Sequence, residues 1–254
     1  MIWQQMHFWR TTVASRLTTG PAPHLRPIWS PDGRMLLFSL GPSFNMFRMS
    51  LERGGDADRV IESPNRQLPE DWSRDGHYVL YSETSPDTGN DLWVVPVTLE
   101  GRPSPGGKPW PFVRERFEQR EGRFSPDTHW VAYQSDESGR NEIYVRSFPE
   151  PHEKLPISKG GGLYPRWGAG GRELFYQSLD GKLMVVALKP AGTTLDASLP
   201  SELFALPTGL PYPNVHEAAP DGQHFLAGDL AVGPEPLNVI VNWDVLLKEG
   251  SSAP

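Results

Sequence analysis

The chain has 254 residues, of which 25 are Gly and 27 are Pro, so about a fifth of its positions favour turns. This composition excludes a largely helical protein, and 37% hydrophobic with 11% aromatic residues excludes a disordered polar chain. The absence of cysteine excludes disulfides, thiolate metal sites and cysteine nucleophiles without fixing the compartment. A net charge of −7 argues against nucleic acid as a partner, because phosphate would be repelled.

One sequence motif recurs five times along the chain: an aromatic or small residue, a short linker that usually contains Asp-Gly, and a run of apolar residues. The copies run from Pro27 to Phe38, Glu70 to Tyr81, Gly122 to Tyr133, Pro165 to Tyr176 and His216 to Ala227. Asp-Gly between two apolar segments predicts a β-hairpin with a type I′ turn, in which both central residues have positive φ. The apolar runs are continuous rather than alternating, which predicts second strands covered on both faces.

A third strand is predicted after each hairpin, and a fourth strand after four of the five hairpins, the fifth unit lacking one. The third is predicted at residues 45–51, 91–97, 142–148, 182–188 and 237–243, and a shorter, more polar fourth at residues 58–63, 109–114, 154–159 and 201–206. The fourth strands carry Pro and charge, as outer edge strands do. Units of four antiparallel strands that repeat every 43 to 52 residues are typical of propeller blades.

The sequence therefore predicts an all-β protein, a single β-propeller over residues 1–254 with five recognisable blades. The blades are predicted at residues 23–66, 67–118, 119–162, 163–210 and 211–247, followed by a tail at residues 248–254. Residues 1–22 carry no visible secretory signal and are predicted to form two strands. Two alternatives stay open for them: Ala14 to Thr19 completes the fifth blade, or the segment is what remains of an upstream blade.

Four stretches together carry a family resemblance: W-S-P-D-G from Trp29, D-L-W-V-V-P-V from Asp91, the run from Phe124 to Val145, and G-G-G-L-Y-P-R-W from Gly160. The chain resembles the TolB-like propeller repeats, which are related to WD-type repeats. It is most similar to the propeller on the C-terminal side of many bacterial serine/threonine kinases. The resemblance covers about residues 14–247 and implies a scaffold, usually of six or more blades and often extracytoplasmic, that binds proteins, peptides or small ligands. Thr128, Gly170 and Ala218 depart from the repeat pattern.

Catalytic motifs of two classes are missing from the sequence. There is neither the motif set of a protein kinase nor the G-x-S-x-G elbow of a serine hydrolase. We therefore expect a non-catalytic scaffold without a cofactor, one that senses or binds a protein, peptide or small ligand. The alternatives are a metal-dependent propeller hydrolase, and the detached propeller of a kinase or peptidase. No residue is assigned as catalytic, and no segment is apolar enough to span a membrane.

Several features suggest sites but have simpler structural interpretations. His216, on a predicted innermost strand, is the histidine to test as a metal ligand, whereas His77 and His129 are expected at exposed turns. The acidic run Asp136 to Glu142 is interpreted as a polar turn. Trp29, Trp72 and Trp167 are expected to pack between blades, and Gly160 to Gly162 to lead into a strand. The run Arg114 to Arg123 alternates in charge and is interpreted as a solvated loop, with a partner site as the alternative.

Overall fold

The computed structural model describes residues 3–8, 11–18, 21–52, 56–168, 170–191, 194–206, 216–218 and 225–227. The described part of the chain consists of strands and turns and contains no helix, hence none that could cross a membrane. The N-terminal strands, β1 (Trp3–Phe8) and β2 (Thr11–Arg16), pair with each other as an antiparallel hairpin.

Four antiparallel sheets follow. In the first three, four strands lie side by side in the order in which they occur along the chain, as predicted. The first sheet contains β3 (His24–Trp29), β4 (Met35–Leu40), β5 (Asn45–Ser50) and β6 (Asp58–Arg59). The second contains β7 (Gln67–Trp72), β8 (Tyr78–Ser85), β9 (Gly89–Pro96) and β10 (Trp110–Val113). The third contains β11 (Gln119–Phe124), β12 (Trp130–Ser135), β13 (Glu142–Ser147) and β14 (Lys154–Pro156).

The fourth sheet has one strand more than predicted. It contains β15 (Leu163–Trp167), β16 (Glu173–Gln177), β17 (Lys182–Ala191), β18 (Thr194–Ala197) and β19 (Ser201–Ala205). The predicted fourth strand is β19, which pairs with the first half of β17, while β18 pairs with the second half. Strand β18 was not predicted, because β17 extends beyond the apolar run into Lys189, Pro190 and Ala191. A short hairpin of β20 (His216–Ala218) and β21 (Phe225–Ala227) begins the fifth unit.

The sheets are propeller blades stacked face to face. One apolar core joins the first and second blades and includes Leu37 and Val79. Another joins the second and third blades and includes Leu80 and Tyr133. A further core joins the third and fourth blades. The second strands are covered on both faces, as predicted: all six residues of β12 are buried. The inner strands are neighbours in turn, with β3 beside β7, β7 beside β11, β11 beside β15 and β15 beside β20.

The hairpin turns differ from the predicted type I′. In Ser30-Pro31-Asp32-Gly33 the Gly33 amide donates to the Ser30 carbonyl at 2.9 Å, and only Gly33 has positive φ. Proline fixes φ near −65°, which suits a type I turn and excludes type I′. The Ser30 hydroxyl donates to Asp32 at 2.6 Å and accepts the Met35 amide at 2.9 Å, so the two side chains close the turn.

The two alternatives for the N-terminus stay open. The pairing of β1 with β2 is the pairing that the third and fourth strands of one blade would have. Leu17, just after β2, packs against the face of the first blade formed by Leu36, Phe38 and Met49. The predicted third strand of the fifth unit, residues 237–243, lies outside the described residues.

Candidate functional site

A β-bulge interrupts each of the four inner strands at the same place. The register shifts between Leu25 and Ile28 in β3, between Pro69 and Asp71 in β7, between Arg120 and Arg123 in β11, and between Leu163 and Arg166 in β15. The residues thereby taken out of the ladder include Arg26, Glu70, Glu121 and Tyr164. A bulge re-aims side chains and is frequent beside functional sites.

Three of these residues also have strained backbones. Arg26, Glu121 and Tyr164 have φ of 50°, 53° and 55°, in the left-handed region that costs a non-glycine residue about 1 to 2 kcal/mol. Strain of this kind persists where the surrounding structure enforces it, and it concentrates at functional sites. The same strain at one register position of three blades marks the inner strands as the candidate site.

Charged side chains from three blades meet at these bulges. Arg26 donates to Glu70 Oε2 at 2.8 Å and also to Glu121 Oε1, and thus links the first blade to the second and third. Arg123 lies 3.7 Å from Glu70 Oε2 and 3.6 Å from Glu121 Oε2. Both glutamate side chains are buried, whereas that of Arg26 is 34% exposed. The fourth blade adds Arg166, whose charge acts to lower the pKa of Asp71 and of Glu121. We call the group of Arg26, Glu70, Asp71, Glu121, Arg123 and Arg166 the axial cluster.

Backbone hydrogen bonds hold the axial cluster between the blades. Arg123 Nη1 donates to the backbone carbonyls of Glu70 at 2.5 Å and Gly122 at 2.7 Å. Asp71 accepts the amide of Phe124 at 2.8 Å. The Trp167 indole donates to the Arg123 carbonyl at 3.0 Å, which extends the links to the fourth blade.

Burial and pairing move the pKa values of the cluster in opposite directions. Burial raises the pKa of Glu70, against the charge of Arg26, and it also raises the pKa of Asp71. Burial would raise the pKa of Glu121 too, but the charges of Arg123 and Arg26 lower it. Burial by itself would lower the pKa of Arg26, but the charges of Glu70 and Glu121 raise it. Tyr164 is near enough for Glu121 to add to the rise that burial causes in its pKa.

No family model matches the sequence, and no curated protein matches it. Solved structures do resemble it in fold. TolB from Acinetobacter baumannii superposes with a TM-score of 0.56 at 16% identity, over 84% of this chain and 50% of that one. An oligogalacturonate lyase in complex with manganese gives 0.57 at 14% identity, over 82% and 59%. A nidogen/laminin complex gives 0.59 at 12% identity, over 89% and 84%.

The chain has a TolB-like β-propeller fold. It spans half the length of the TolB chain. The fold neighbours of this TolB-like propeller include an enzyme, the lyase, beside TolB and a nidogen/laminin complex. Because one fold hosts several activities, the fold alone decides neither catalysis nor binding. The similarity to kinase propellers stays a prediction.

The predicted histidine sites have two outcomes. His77 is exposed at its turn, and His129 is exposed with Nδ1 3.2 Å from Asp127, as expected of turn residues. His216 begins β20, the strand beside β15, so its predicted place on an inner strand is confirmed. Its side chain lies outside the described part, and a metal role for it stays a prediction.

The acidic run Asp136 to Glu142 and the glycine run Gly160 to Gly162 contact each other. Asp136 accepts the Gly139 amide through its carbonyl and the Glu118 amide through its carboxylate, as a polar turn residue does. Glu142 accepts the amides of Gly160 at 3.0 Å and Gly161 at 2.9 Å. The glycines thus cradle a carboxylate of the same chain before β15 begins.

Two of the three tryptophans, Trp72 and Trp167, pack between blades, as predicted. Trp72 lies in the core that joins the first two blades, Trp167 packs against the core of the third and fourth, and Trp29 packs on the first blade beside Leu36. They contribute to blade packing rather than forming a stacking ring for a ligand.

The interpretation of the run Arg114 to Arg123 as a solvated loop was wrong for its second half. Residues from Gln119 onward form the inner strand β11, and Glu121 and Arg123 belong to the axial cluster. Their charges are tolerated because partners come from neighbouring blades, which a single segment does not reveal. Alignment of the repeats is the signal that would have found them, since charges stand one to three positions before Trp29, Trp72, Phe124 and Trp167.

Proposed function

We propose that this TolB-like propeller is a non-catalytic binding module that takes a peptide or a segment of a partner protein at the bulged inner strands. The observation that carries the proposal is the repeated bulge with strained Arg26, Glu121 and Tyr164. A purely structural ion pair does not require the same strained backbone in three separate strands.

The chemistry of the site favours a peptide over a small apolar ligand. The axial cluster contains three arginines and three carboxylates, and Arg26 and Tyr164 are only partly buried. A peptide presents donors, acceptors and charges at fixed spacing, which match a surface of mixed charge. The absence from the sequence of kinase and serine hydrolase motifs supports binding without turnover.

Selection from a displayed random-peptide library tests the proposal. The purified chain is expected to enrich sequences whose synthetic peptides bind it in solution, measured by calorimetry. Tyr164→Ala and Glu121→Gln should each weaken that binding at least about tenfold, the loss expected when a charged or aromatic anchor is removed.

His77→Ala is the matched control, since His77 is an exposed ring in the hairpin turn between β7 and β8 and is not part of the axial cluster. It should leave peptide affinity unchanged. Peptides whose binding is lost with His77→Ala and retained with Tyr164→Ala would place the binding surface at the hairpin turns, away from the axial cluster, and contradict the proposal. Cleavage of the selected peptides by the purified chain would contradict the non-catalytic part.

A further inference from the structure

One buried oxygen of the axial cluster has no hydrogen-bond partner. Glu70 directs Oε2 to Arg26, but its Oε1 accepts no hydrogen bond from the described residues, although the Glu70 side chain is only 1% exposed. A hydrogen bond from the Ser82 side chain to the Glu70 carboxyl lowers the pKa of Glu70, and Oε1 is still left without a donor in bonding geometry. Buried acceptors without a donor are rare in proteins and call for an explanation.

The charges of the cluster define what the missing donor should be. Arg26, Arg123 and Arg166 balance Glu70, Asp71 and Glu121, so the cluster is neutral while Arg26 is in place. Arg123 is fixed by two backbone carbonyls, whereas Arg26 is held by the two glutamates and is the more exposed guanidinium. If Arg26 turns outward, one uncompensated negative charge is left between Glu70 and Glu121.

A primary ammonium group fits the place that Arg26 would leave between Glu70 and Glu121. It carries one positive charge and three N–H donors on a compact head, so it can serve both glutamates and the unpartnered Oε1 together. We propose that the axial cluster binds the ammonium group of a peptide ligand, its N-terminus or a lysine side chain, in the position that Arg26 holds in the free protein. This inference rests on the proposed function and names the group that is recognised.

The first experiment compares two forms of one peptide, Ala-Ala-Ala-amide with a free N-terminus and its N-acetyl derivative, by NMR titration of the full chain. The free amine should bind at least about tenfold more tightly, the loss expected on removing a hydrogen bond between charged groups. Glu70→Gln should abolish that preference. Glu62→Gln, at a glutamate whose side chain is 81% exposed, should preserve it.

The second experiment keeps the proposal testable if Glu70→Gln does not fold. Arg26→Ala removes the closest cationic partner of both glutamates and leaves only the more distant Arg123 beside them. Methylammonium should therefore raise the thermal midpoint of this variant more than it raises that of the wild-type chain. Tetramethylammonium has the charge without an N–H donor and should not do so. Equal effects of the two ions, or no effect of methylammonium, would overturn the inference.

The outcomes separate this inference from the proposed function. One outcome is a set of selected peptides that contain no lysine, require Tyr164 for binding and bind equally well after acetylation. That outcome would support the proposed binding function and overturn the ammonium site. Failure of the library to yield any peptide that depends on Tyr164 or Glu121 would overturn both.

Discussion

Arg26 and Glu70 are 44 residues apart in sequence, yet the guanidinium of the first blade donates at 2.8 Å to a carboxylate buried in the second. Together with the bond from Arg26 to Glu121, this contact ties three blades at their inner strands. A local charge pattern would not reveal it, because each partner comes from a different repeat. The contact also makes the stability of the propeller depend on one arginine.

Arg26→Ala should therefore lower the free energy of unfolding by about 3 kcal/mol, since it leaves two buried carboxylates without their main partner. The measurement is urea unfolding at neutral pH. Arg34→Ala is the control: Arg34 lies 3.2 Å from Glu52, and both side chains are more than 60% exposed. Surface pairs of this kind contribute about 0 to 1 kcal/mol. Similar losses for the two variants would show that the axial cluster is not a buried network.

Ser125→Ala should destabilise the third blade at its hairpin turn. Ser125 is buried, accepts the Trp130 amide at 2.9 Å and donates to Asp127 at 2.5 Å. Without the hydroxyl the buried Trp130 amide has no acceptor, which costs about 1 to 3 kcal/mol. Ser138→Ala, at an exposed turn of the same blade, should change the free energy of unfolding by less than about 0.5 kcal/mol. A loss at Ser138 as large as at Ser125 would contradict this account.

The pH dependence of the same turn in the first blade can be predicted from Asp32. The hydrogen bonds from the Ser30 hydroxyl and the Arg34 amide lower the pKa of Asp32 below its ordinary value. The ionised carboxylate therefore adds stability above about pH 4, near the pKa in the unfolded chain, and that stability is lost as the pH falls through the lower folded pKa. Asp32→Asn should be less stable than wild type at pH 7, and the gap should narrow toward pH 2, as measured by urea unfolding. A gap that widens on acidification would contradict the sign of the shift.

The repeats made the fold predictable from sequence. Each of Trp29, Trp72 and Trp167 ends an inner strand where the repeated motif places it, because the aromatic, the turn and the apolar run all act within a dozen residues. The strand β18 was not predictable in this way, since its pairing depends on an extension of β17 past the end of the apolar pattern.

The candidate site was not predictable from any one segment. Glu121 and Arg123 belong to a stretch whose alternating charges are typical of a solvent-exposed loop. Their partners Arg26 and Glu70 come from neighbouring blades. The bulges leave no local signature either, because β3, β7, β11 and β15 have different residues at them. The proposal of an ammonium ligand depends on one unpartnered oxygen of Glu70, which is a property of the packed structure.

Thr128 takes the turn position that Gly33 holds in the first blade, and the two backbones have the same conformation. The φ of Thr128 is 61° and that of Gly33 is 71°, and each amide donates at 2.9 Å to the carbonyl three residues earlier. A β-branched residue is strained there, whereas glycine is not. Thr128→Gly should raise the free energy of unfolding by about 0.5 to 1 kcal/mol, the relief of left-handed strain less the greater chain entropy of glycine.

The reciprocal change, Gly33→Thr, tests the same strain from the opposite direction. A Cβ at Gly33 would meet no atom within 4 Å, so only the backbone conformation opposes the substitution. It should lower the free energy of unfolding by about 1 kcal/mol, measured by urea unfolding beside Thr128→Gly. Opposite signs for the two variants are required, because both report one conformational preference. A Thr128→Gly variant less stable than wild type would mean that the threonine side chain makes a stabilising contact larger than the strain.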